Sequence, residues 1–369
     1  MNEEKELSQL RDQIDGLDQK IQQLINDRAN CAKQVADVKQ RHSRGEKIQF
    51  YRPEREAQVL RRVMGRNDGP IANEDMARLF REIMSMCLAL EEPLKVAYLG
   101  PQGTFTQAAA LKHFGHSVVC ESQVSIGDVF REVESGAVNY GVVPVENSTE
   151  GVVTHTLDSF AQSSLQICGE VALRIHHHFL VKKELMKEML TKKEITRVYS
   201  HPQSLAQCRQ WLDTHWSQLE RIPVSSNAEA ARRASQEEGA AAIAGDVAAE
   251  LYGMSVQSNS IEDMPDNTTR FLIIGREETQ ESGSDKTSIM VSSRNQPGAL
   301  YYALEPFHEA DVSLTRIETR PSRNGVWNYN FFIDFEGHSN SSGIQAVLAK
   351  VGASASDLKI LGSYPKAVM

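Results

Sequence analysis

The sequence predicts a three-part chain: an all-helical N-terminal unit, a two-lobed α/β middle and a small βαββαβ unit at the C-terminus. Three observations carry that reading. Apolar residues recur at alternating spacings of three and four from Leu7 onward; between residues 94 and 275 an apolar, strand-like run ends four times in small and polar residues; after residue 286 strand and helix patterns alternate anew. A chain of 369 residues is also too long for one core, since single cores stop growing at about 250–300 residues.

The first seam runs through Leu7, Leu10, Ile14, Leu17, Ile21, Leu24, Cys31, Val35 and Val38. Its a/d heptad spacing predicts a helix over about 6–40, roughly 50 Å long at about 1.5 Å per residue. About ninety residues cannot cover such a rod, so a partner chain is expected against it. Arg28 falls on an a position of the seam. A buried arginine needs an anion, the alternative being a polar residue that only sets register. Arg11 and Lys39 lie four heptads apart and share a flank beside the seam. Pro53 suits the first position of a second helix reaching Met64, and Gly65 and Gly69-Pro70 then break the chain. Asn73 is the expected N-cap of a third helix reaching Leu90, with an apolar face of Leu79, Phe80, Ile83, Met84, Cys87 and Leu88.

The α/β segment is read from LKVAYLG (94–100) leading into PQGTFTQ, YGVVPV (140–145) into Glu146-Asn147-Ser148, TRVYS (196–200) into His201-Pro202-Gln203, and GAAAIAG (239–245) into Asp246. A fifth element, Asn267-Thr268-Thr269-Arg270-Phe271, opens the apolar run FLIIG. In open α/β sheets ligands sit beyond the strand ends, where loops converge and helix N-termini offer free N–H groups. The predicted site is rich in Ser, Thr, Asn and Arg, has Glu146 as its clearest acid, and suits a small oxygenated anion. REETQESGSDK (276–286) reads as a linker. TSIMVS (287–292), a helix over 298–309, VSLTRIET (312–319), WNYNFFIDF (327–335), a helix near 343–351 and DLKILGSYP (357–365) then give the ferredoxin-like order.

Composition narrows the partners. A net charge of −9 with interspersed signs argues against nucleic acid. Neither a signal peptide nor an apolar run of about 18 residues is visible, so a cytoplasmic protein without membrane partners is expected. The five cysteines are scattered without a CxxC pair, which predicts reduced thiols and no zinc site. His176-His177-His178 cannot offer three ligands to one ion from a strand, because neighbours point to opposite faces; structural or cleft-lining roles are expected. Asp246 is expected to be a helix N-cap, and His201 to cap its loop rather than act as a general acid.

With these residues in view, GPQGTFT (100–106), VPVENSTEG (143–151), SHPQSLAQC (200–208) and NTTRF (267–271) resemble, in order and spacing, the signature motifs of prephenate dehydratases. Arg11, Arg28, Lys39 and the PEREA stretch resemble the all-helical class of chorismate mutases. PGAL (297–300) and ETRPS (318–322) look like the phenylalanine-binding motifs of ACT-type regulatory domains. The likeness covers essentially the whole chain and implies a mutase domain over 1–92, a dehydratase domain over 93–278 resembling periplasmic binding proteins, and an ACT domain over 285–369. It implies chorismate and prephenate as substrates, L-phenylalanine as allosteric inhibitor, a dimer-based assembly, and neither cofactor nor metal.

The same resemblance assigns roles. Arg11, from the neighbouring chain, and Arg28 would bind chorismate's carboxylates, Lys39 would donate to the ether oxygen, Arg55 would place the substrate and Glu56 would accept from its hydroxyl. Three positions depart from the common pattern. Arg52 stands where many relatives carry Asp, and reads best as a solvated loop charge. Glu91 stands where many carry glutamine, facing the ether oxygen, and Cys87 replaces a serine. In the dehydratase, Thr269 is the implied donor to the departing hydroxyl. Arg270 and Phe271 would shape the pocket, Glu146, Asn147, Ser200 and Gln207 would line it, and Thr104 would cradle a carboxylate. Gly298, Ala299, Leu300, Glu318, Arg320 and Pro321 would hold phenylalanine. Two rival readings remain: a binding protein that leaves prephenate unchanged, and a dehydratase whose helical unit has lost turnover through Arg52 and Glu91.

Overall fold

A computed structural model describes residues 2–42, 51–183, 195–293, 296–322 and 329–368. It forms two compact units, one of residues 1–52, 60–94 and 114–119, the other of residues 53–59, 95–113 and 120–369. No helix among the described residues is long and apolar enough to cross a membrane.

In the first unit α1 (Asn2–His42) is uninterrupted and packs on α3 (Asn73–Ala89). The contact face of α1 carries Ile25, Ala29, Ala32, Ala36 and Lys39, all at least partly buried. Its alanines let the two helices approach closely. The apolar seam stays outside: its leucines, isoleucines and valines, Leu7 through Val38, are 44% to 67% exposed. Arg28 is half-buried and Arg11 exposed. Pro53 does open α2 (Pro53–Gly65). Asn73, by contrast, is the first residue of α3 and Ala72 takes the capping place; the Asn73 side-chain oxygen instead accepts from Asn67 Nδ2 at 2.8 Å. The expected apolar face of α3 is also turned. Cys87 and Ile83 are buried, but Leu79 is 52% exposed, because α3 carries apolar side chains on more than one face.

The second unit contains three sheets. The first has the order β2 (Val119–Gln123), β1 (Lys95–Leu99), β3 (Tyr140–Asn147), β11 (Thr268–Gly275), β5 (Gln166–Arg174), with β4 (Gly151–Val152) paired to β3. The second runs β10 (Met254–Ser258), β6 (His178–Lys182), β9 (Ala240–Ala244), β7 (Arg197–Ser200), β8 (Glu220–Pro223). The chain crosses between these lobes after β5 and returns before β11. Helices α4 (Phe105–Phe114), α5 (Ile126–Ser135) and α6 (Thr154–Gln162) belong to the first lobe; α7 (Pro202–Gln207), α8 (Arg209–His215), α9 (Asn227–Gln236) and α10 (Asp246–Leu251) belong to the second. The lobes meet tightly at Gly103, whose positive φ of 86° places a would-be Cβ 3.3 Å from Ala228 Cβ and Ala248 Cα.

The third sheet, all antiparallel, has the order β13 (Leu314–Pro321), β14 (Tyr329–Glu336), β12 (Asp285–Ser293), β15 (Asp357–Pro365). Its helices are α11 (Ala299–Glu309) and α12 (Ser342–Ser354), so the element order is βαββαβ; residues 327 and 328 of the expected third strand lie outside the described residues. The segment expected as a free linker is tied down: Thr279 and Ser282 are buried, and Ser282 N donates to Asp285 Oδ2 at 3.0 Å. One core runs through both parts, with Met290, Phe332, Leu361 and Tyr364 packing with Leu272 and Ile274 of β11.

Candidate functional site

A cavity of ≈ 270 Å³ lies between the two lobes of the second unit, reached by β1, β3, β11 and the N-terminal ends of α4, α7 and α9. Thr104, Asn147, Gln207 and Thr269 line it as the sequence suggests. No Asp, Glu, Lys or Arg is among its lining residues within the described part of the chain, so an anion there is met by N–H dipoles, amides and hydroxyls.

Its polar groups form one directed chain. Asn147 Oδ1 accepts from the backbone N–H groups of Thr149 and Glu150, both at 3.0 Å. Only an oxygen can accept there, so Asn147 Nδ2 must point the other way, where it donates to Thr269 Oγ1 at 2.7 Å and Asn267 Oδ1 at 2.8 Å. Thr269 Oγ1 thus accepts from Asn147 and keeps its own O–H free to donate. Asn267 Nδ2 donates to Gln207 Oε1 at 3.2 Å, and His177 Nε2 reaches the same oxygen at 2.8 Å. Because that oxygen only accepts, His177 carries its proton on Nε2, and burial pushes its pKa down, which keeps the ring neutral.

Only His178 of the histidine run lies on a strand, His176 and His177 falling between β5 and β6, yet the three side chains still part. His177 turns to the cavity, His176 Nδ1 meets Glu262 Oε1 at 2.8 Å, and His178 lies 3.1 Å from Asp246. Asp246 begins α10 behind Gly245, which takes the capping position, so the aspartate is not the N-cap. His201 precedes α7 without a side-chain cap and lines the cavity instead. Burial lowers its pKa too, leaving little imidazolium for a general acid at neutral pH. Thr104 Oγ1 donates to Leu99 O at 3.1 Å, fixing the first turn of α4.

Four expected pocket residues lie elsewhere. Ser200 is fully buried behind the cavity, 2.9 Å from both Asn227 Oδ1 and Ile243 O. Phe271 is buried and does not line the cavity. Glu146 and Arg270 point away from it, because each precedes or follows a cavity residue on its strand and side chains alternate. Register places Thr269 opposite Asn147 and Arg270 opposite Glu146, so one cross-strand pair faces the cavity and the next faces the third sheet. There Arg270 Nε meets Glu170 at 2.9 Å, its Nη1 meets Asp334 at 2.6 Å and its Nη2 donates to Tyr364 Oη at 3.0 Å. Breaking such a buried pair costs roughly 3–5 kcal/mol. His177 lines the cavity, as a cleft-lining histidine would, and so does Asn267 at the head of the fifth element; Phe105 and Asn227 are cavity residues that sequence reasoning did not single out.

In the first unit Lys39 and Glu91 approach each other. Burial lowers the Lys39 pKa, with Glu91 raising and Arg52 lowering it; burial raises that of Glu91, with Lys39 opposing. Glu91 Oε2 is buried and has no hydrogen-bond partner among the described residues. Arg52 is exposed, as a solvated loop charge would be. Arg55 and Glu56 belong to the second unit, in the first turn of α2, where Arg55 is exposed and Glu56 half-buried.

A second cavity, ≈ 370 Å³, opens beside the third sheet and is lined by Gly298, Ala299, Leu300, Thr319, Tyr329 and Phe331 among others. Gly298 caps α11 at φ 81°, and a Cβ there would meet Tyr302 Cε2 at 2.8 Å. Glu318, Arg320 and Pro321 do not line it. The period of two on β13 turns Glu318 and Arg320 to the opposite face, where Arg320 grips Asp158 of α6 at 3.2 and 3.1 Å.

The chain is similar to known proteins along its length. Residues 96–279 match the prephenate dehydratase family and residues 10–92 the chorismate mutase type II family. A bifunctional chorismate mutase/prephenate dehydratase of Pseudomonas aeruginosa is 60% identical over 370 residues, covering 100% of both chains. Its counterpart in Neisseria gonorrhoeae is 50% identical, covering 97% of each. A prephenate dehydratase of Arthrobacter aurescens, solved in complex with L-Phe, aligns with a TM-score of 0.67 at 32% identity, covering 74% of this chain and 90% of that one.

Proposed function

We infer, for a chain that belongs to the family of bifunctional chorismate mutase/prephenate dehydratases, that its two activities reside in the two sites described: the Lys39–Glu91 region and the cavity holding Thr269. The protein rearranges chorismate to prephenate and converts prephenate to phenylpyruvate. The observation that carries the site assignment is the Asn147 to Thr269 hydrogen bond of 2.7 Å, with Asn147 pinned from behind by two backbone N–H groups.

In the dehydratase step the ring carboxylate departs as carbon dioxide and its bonding pair enters the ring. The C4–O bond then breaks with its pair, and a proton taken up from solvent turns the leaving hydroxide into water. Thr269, relieved of donating to the protein, offers its O–H to that oxygen. A threonine is a poor acid, so the contribution is a positioned hydrogen bond that strengthens as charge grows on the leaving oxygen. A neutral cavity suits the other half of the reaction. A guanidinium on the departing carboxylate would stabilise the ground state, whose charge is concentrated there, more than the transition state, whose charge is spreading.

In the mutase step no covalent intermediate forms, and the enzyme offers orientation and electrostatics. Arg28 and the partner chain's Arg11 bind the carboxylates, Arg55 and Glu56 place the substrate, Cys87 packs beneath it, and Lys39 with protonated Glu91 donates to the ether oxygen. The exposed seam of α1 is where a second copy docks, which supplies Arg11. The third sheet and its helices form a ferredoxin-like ACT domain, and L-phenylalanine in the cavity beside Gly298 and Thr319 lowers dehydratase turnover.

Supplying chorismate and prephenate separately to the purified chain tests the reading. Both substrates should be consumed, the first to prephenate and the second to phenylpyruvate. A binding protein would leave prephenate intact, and a dehydratase with a silent helical unit would leave chorismate intact.

A further inference from the structure

The edge strand β13 has two faces with different business. Thr319 lines the cavity beside Gly298 on one of them. On the other, Arg316 lies 3.3 Å from Glu146, and Arg320 is bound to Asp158. Glu146 is the residue next to Asn147, which aims the Thr269 hydroxyl. Thus two residues separate a wall of the effector cavity from the cation that meets the C-terminal end of β3.

The Arg316 contact is incomplete. Its Nε is near Glu146 Oε2 without the alignment of a hydrogen bond, and both Nε and Nη2 are buried with no hydrogen-bond partner among the described residues. Unsatisfied buried donors are unfavourable, so a small movement of β13 either completes this pair or releases it. A contact with two such settings is the kind of element through which a distant ligand biases a site.

We propose that Arg316 is a positioning residue for the dehydratase reaction: through Glu146 it sets Asn147, and ligand in the cavity on the opposite face of β13 shifts that setting. The second tie, Arg320 to Asp158, anchors the strand against α6, so that the displacement is transmitted at Arg316. This rests on the reading of that cavity as the L-phenylalanine site.

The test uses the full chain and measures L-phenylalanine binding by calorimetry separately from its effect on prephenate turnover. Arg316→Gln should bind L-phenylalanine within about threefold of the parent, while the effector's fold-change in dehydratase rate collapses to below about twofold, a loss of coupling without loss of binding. Arg316→Lys keeps the charge but not the fork and should fall between. L-phenylalanine binding by the same preparation reports that the third sheet of each variant is folded. If Arg316→Gln binds the amino acid and is inhibited as strongly as the parent, the transmission route is overturned. Should the parent itself fail to bind L-phenylalanine, the effector reading fails instead, and Arg316→Gln is then judged by its uninhibited kcat: a value equal to the parent's removes the positioning role as well.

Discussion

The mutase unit and the dehydratase cavity solve the problem of holding a dianion in opposite ways. The helical unit carries formal charges along its helices: Arg28 half-buried, Lys39 beside Glu91, and Arg11 exposed. The dehydratase cavity has no Asp, Glu, Lys or Arg among its described lining residues and closes its polar network within one chain, from Asn147 through Asn267 and Gln207 to His177. The contrast follows the chemistry. A pericyclic rearrangement keeps both carboxylates and gains from clamping them, whereas the second reaction expels one. Charge serves the first and neutrality serves the second.

The contrast breaks most visibly at Arg28. Replacing it with alanine should lower mutase kcat/KM by about 10³ or more, as expected for removing a cation from a buried carboxylate contact, while dehydratase turnover stays near that of the parent. Retention of most of the mutase rate would mean that chorismate is held elsewhere. Next comes Thr269→Val, which keeps the shape and removes the donor. Dehydratase kcat should drop by about 10², the effect typical of one lost transition-state hydrogen bond, with mutase unchanged. A valine variant that still turns over prephenate at the parental rate would pass the donor role to a solvent molecule.

A smaller effect sharpens the other half of the comparison. Arg11→Ala and Arg28→Ala chains mixed after unfolding should regain about a quarter of the parental mutase sites. Random pairing makes half of the dimers mixed, and each mixed dimer rebuilds one pocket of two. Verified mixed dimers without any mutase activity would show that each pocket takes both arginines from one chain.

These regions also differed in how much the sequence disclosed. The a/d period is a property of residue spacing, so the seam, and a cation misplaced upon it, could be read without coordinates. What spacing could not reveal is that the seam faces outward in the single chain while a stripe of alanines, Ala29, Ala32 and Ala36, faces α3. In the α/β part five of the strands and the loops at their ends were legible, but strings such as Glu146-Asn147 and Thr269-Arg270 read as single sites. Backbone alternation splits each of them, sending the amide and hydroxyl to the cavity and the charges to the third sheet. Arg320 and Thr319 divide in the same way. Charged residues draw attention in a sequence; the neutral Asn267 and His177 acquire their roles only through hydrogen bonds that long-range register creates.

The least of the expected effects concerns protons, and it bears on the acid that lies beside Lys39. Burial raises the pKa of Glu91 while Lys39 pulls it down, and the net direction is upward. A carboxyl with a raised pKa stays protonated to higher pH than a free glutamate, so it can donate to the ether oxygen at mildly acidic pH and loses that proton as the pH climbs through the raised value. Its anion would then repel the charge that develops as the C–O bond breaks. Mutase kcat/KM should therefore decline by a few-fold from mildly acidic to mildly alkaline pH, measured as chorismate loss because prephenate aromatises spontaneously in acid. Lys39, whose own pKa burial lowers, adds to the decline only at the alkaline end. Glu91→Gln donates at every pH, so it should flatten the acidic part of the fall and leave the alkaline part, separating the two groups. The dehydratase, with no carboxylate on its walls, should show no matching change in the variant. A parental mutase profile already level across this range, and unaltered by Glu91→Gln, would place the carboxyl away from the ether oxygen and leave Lys39 as the donor there.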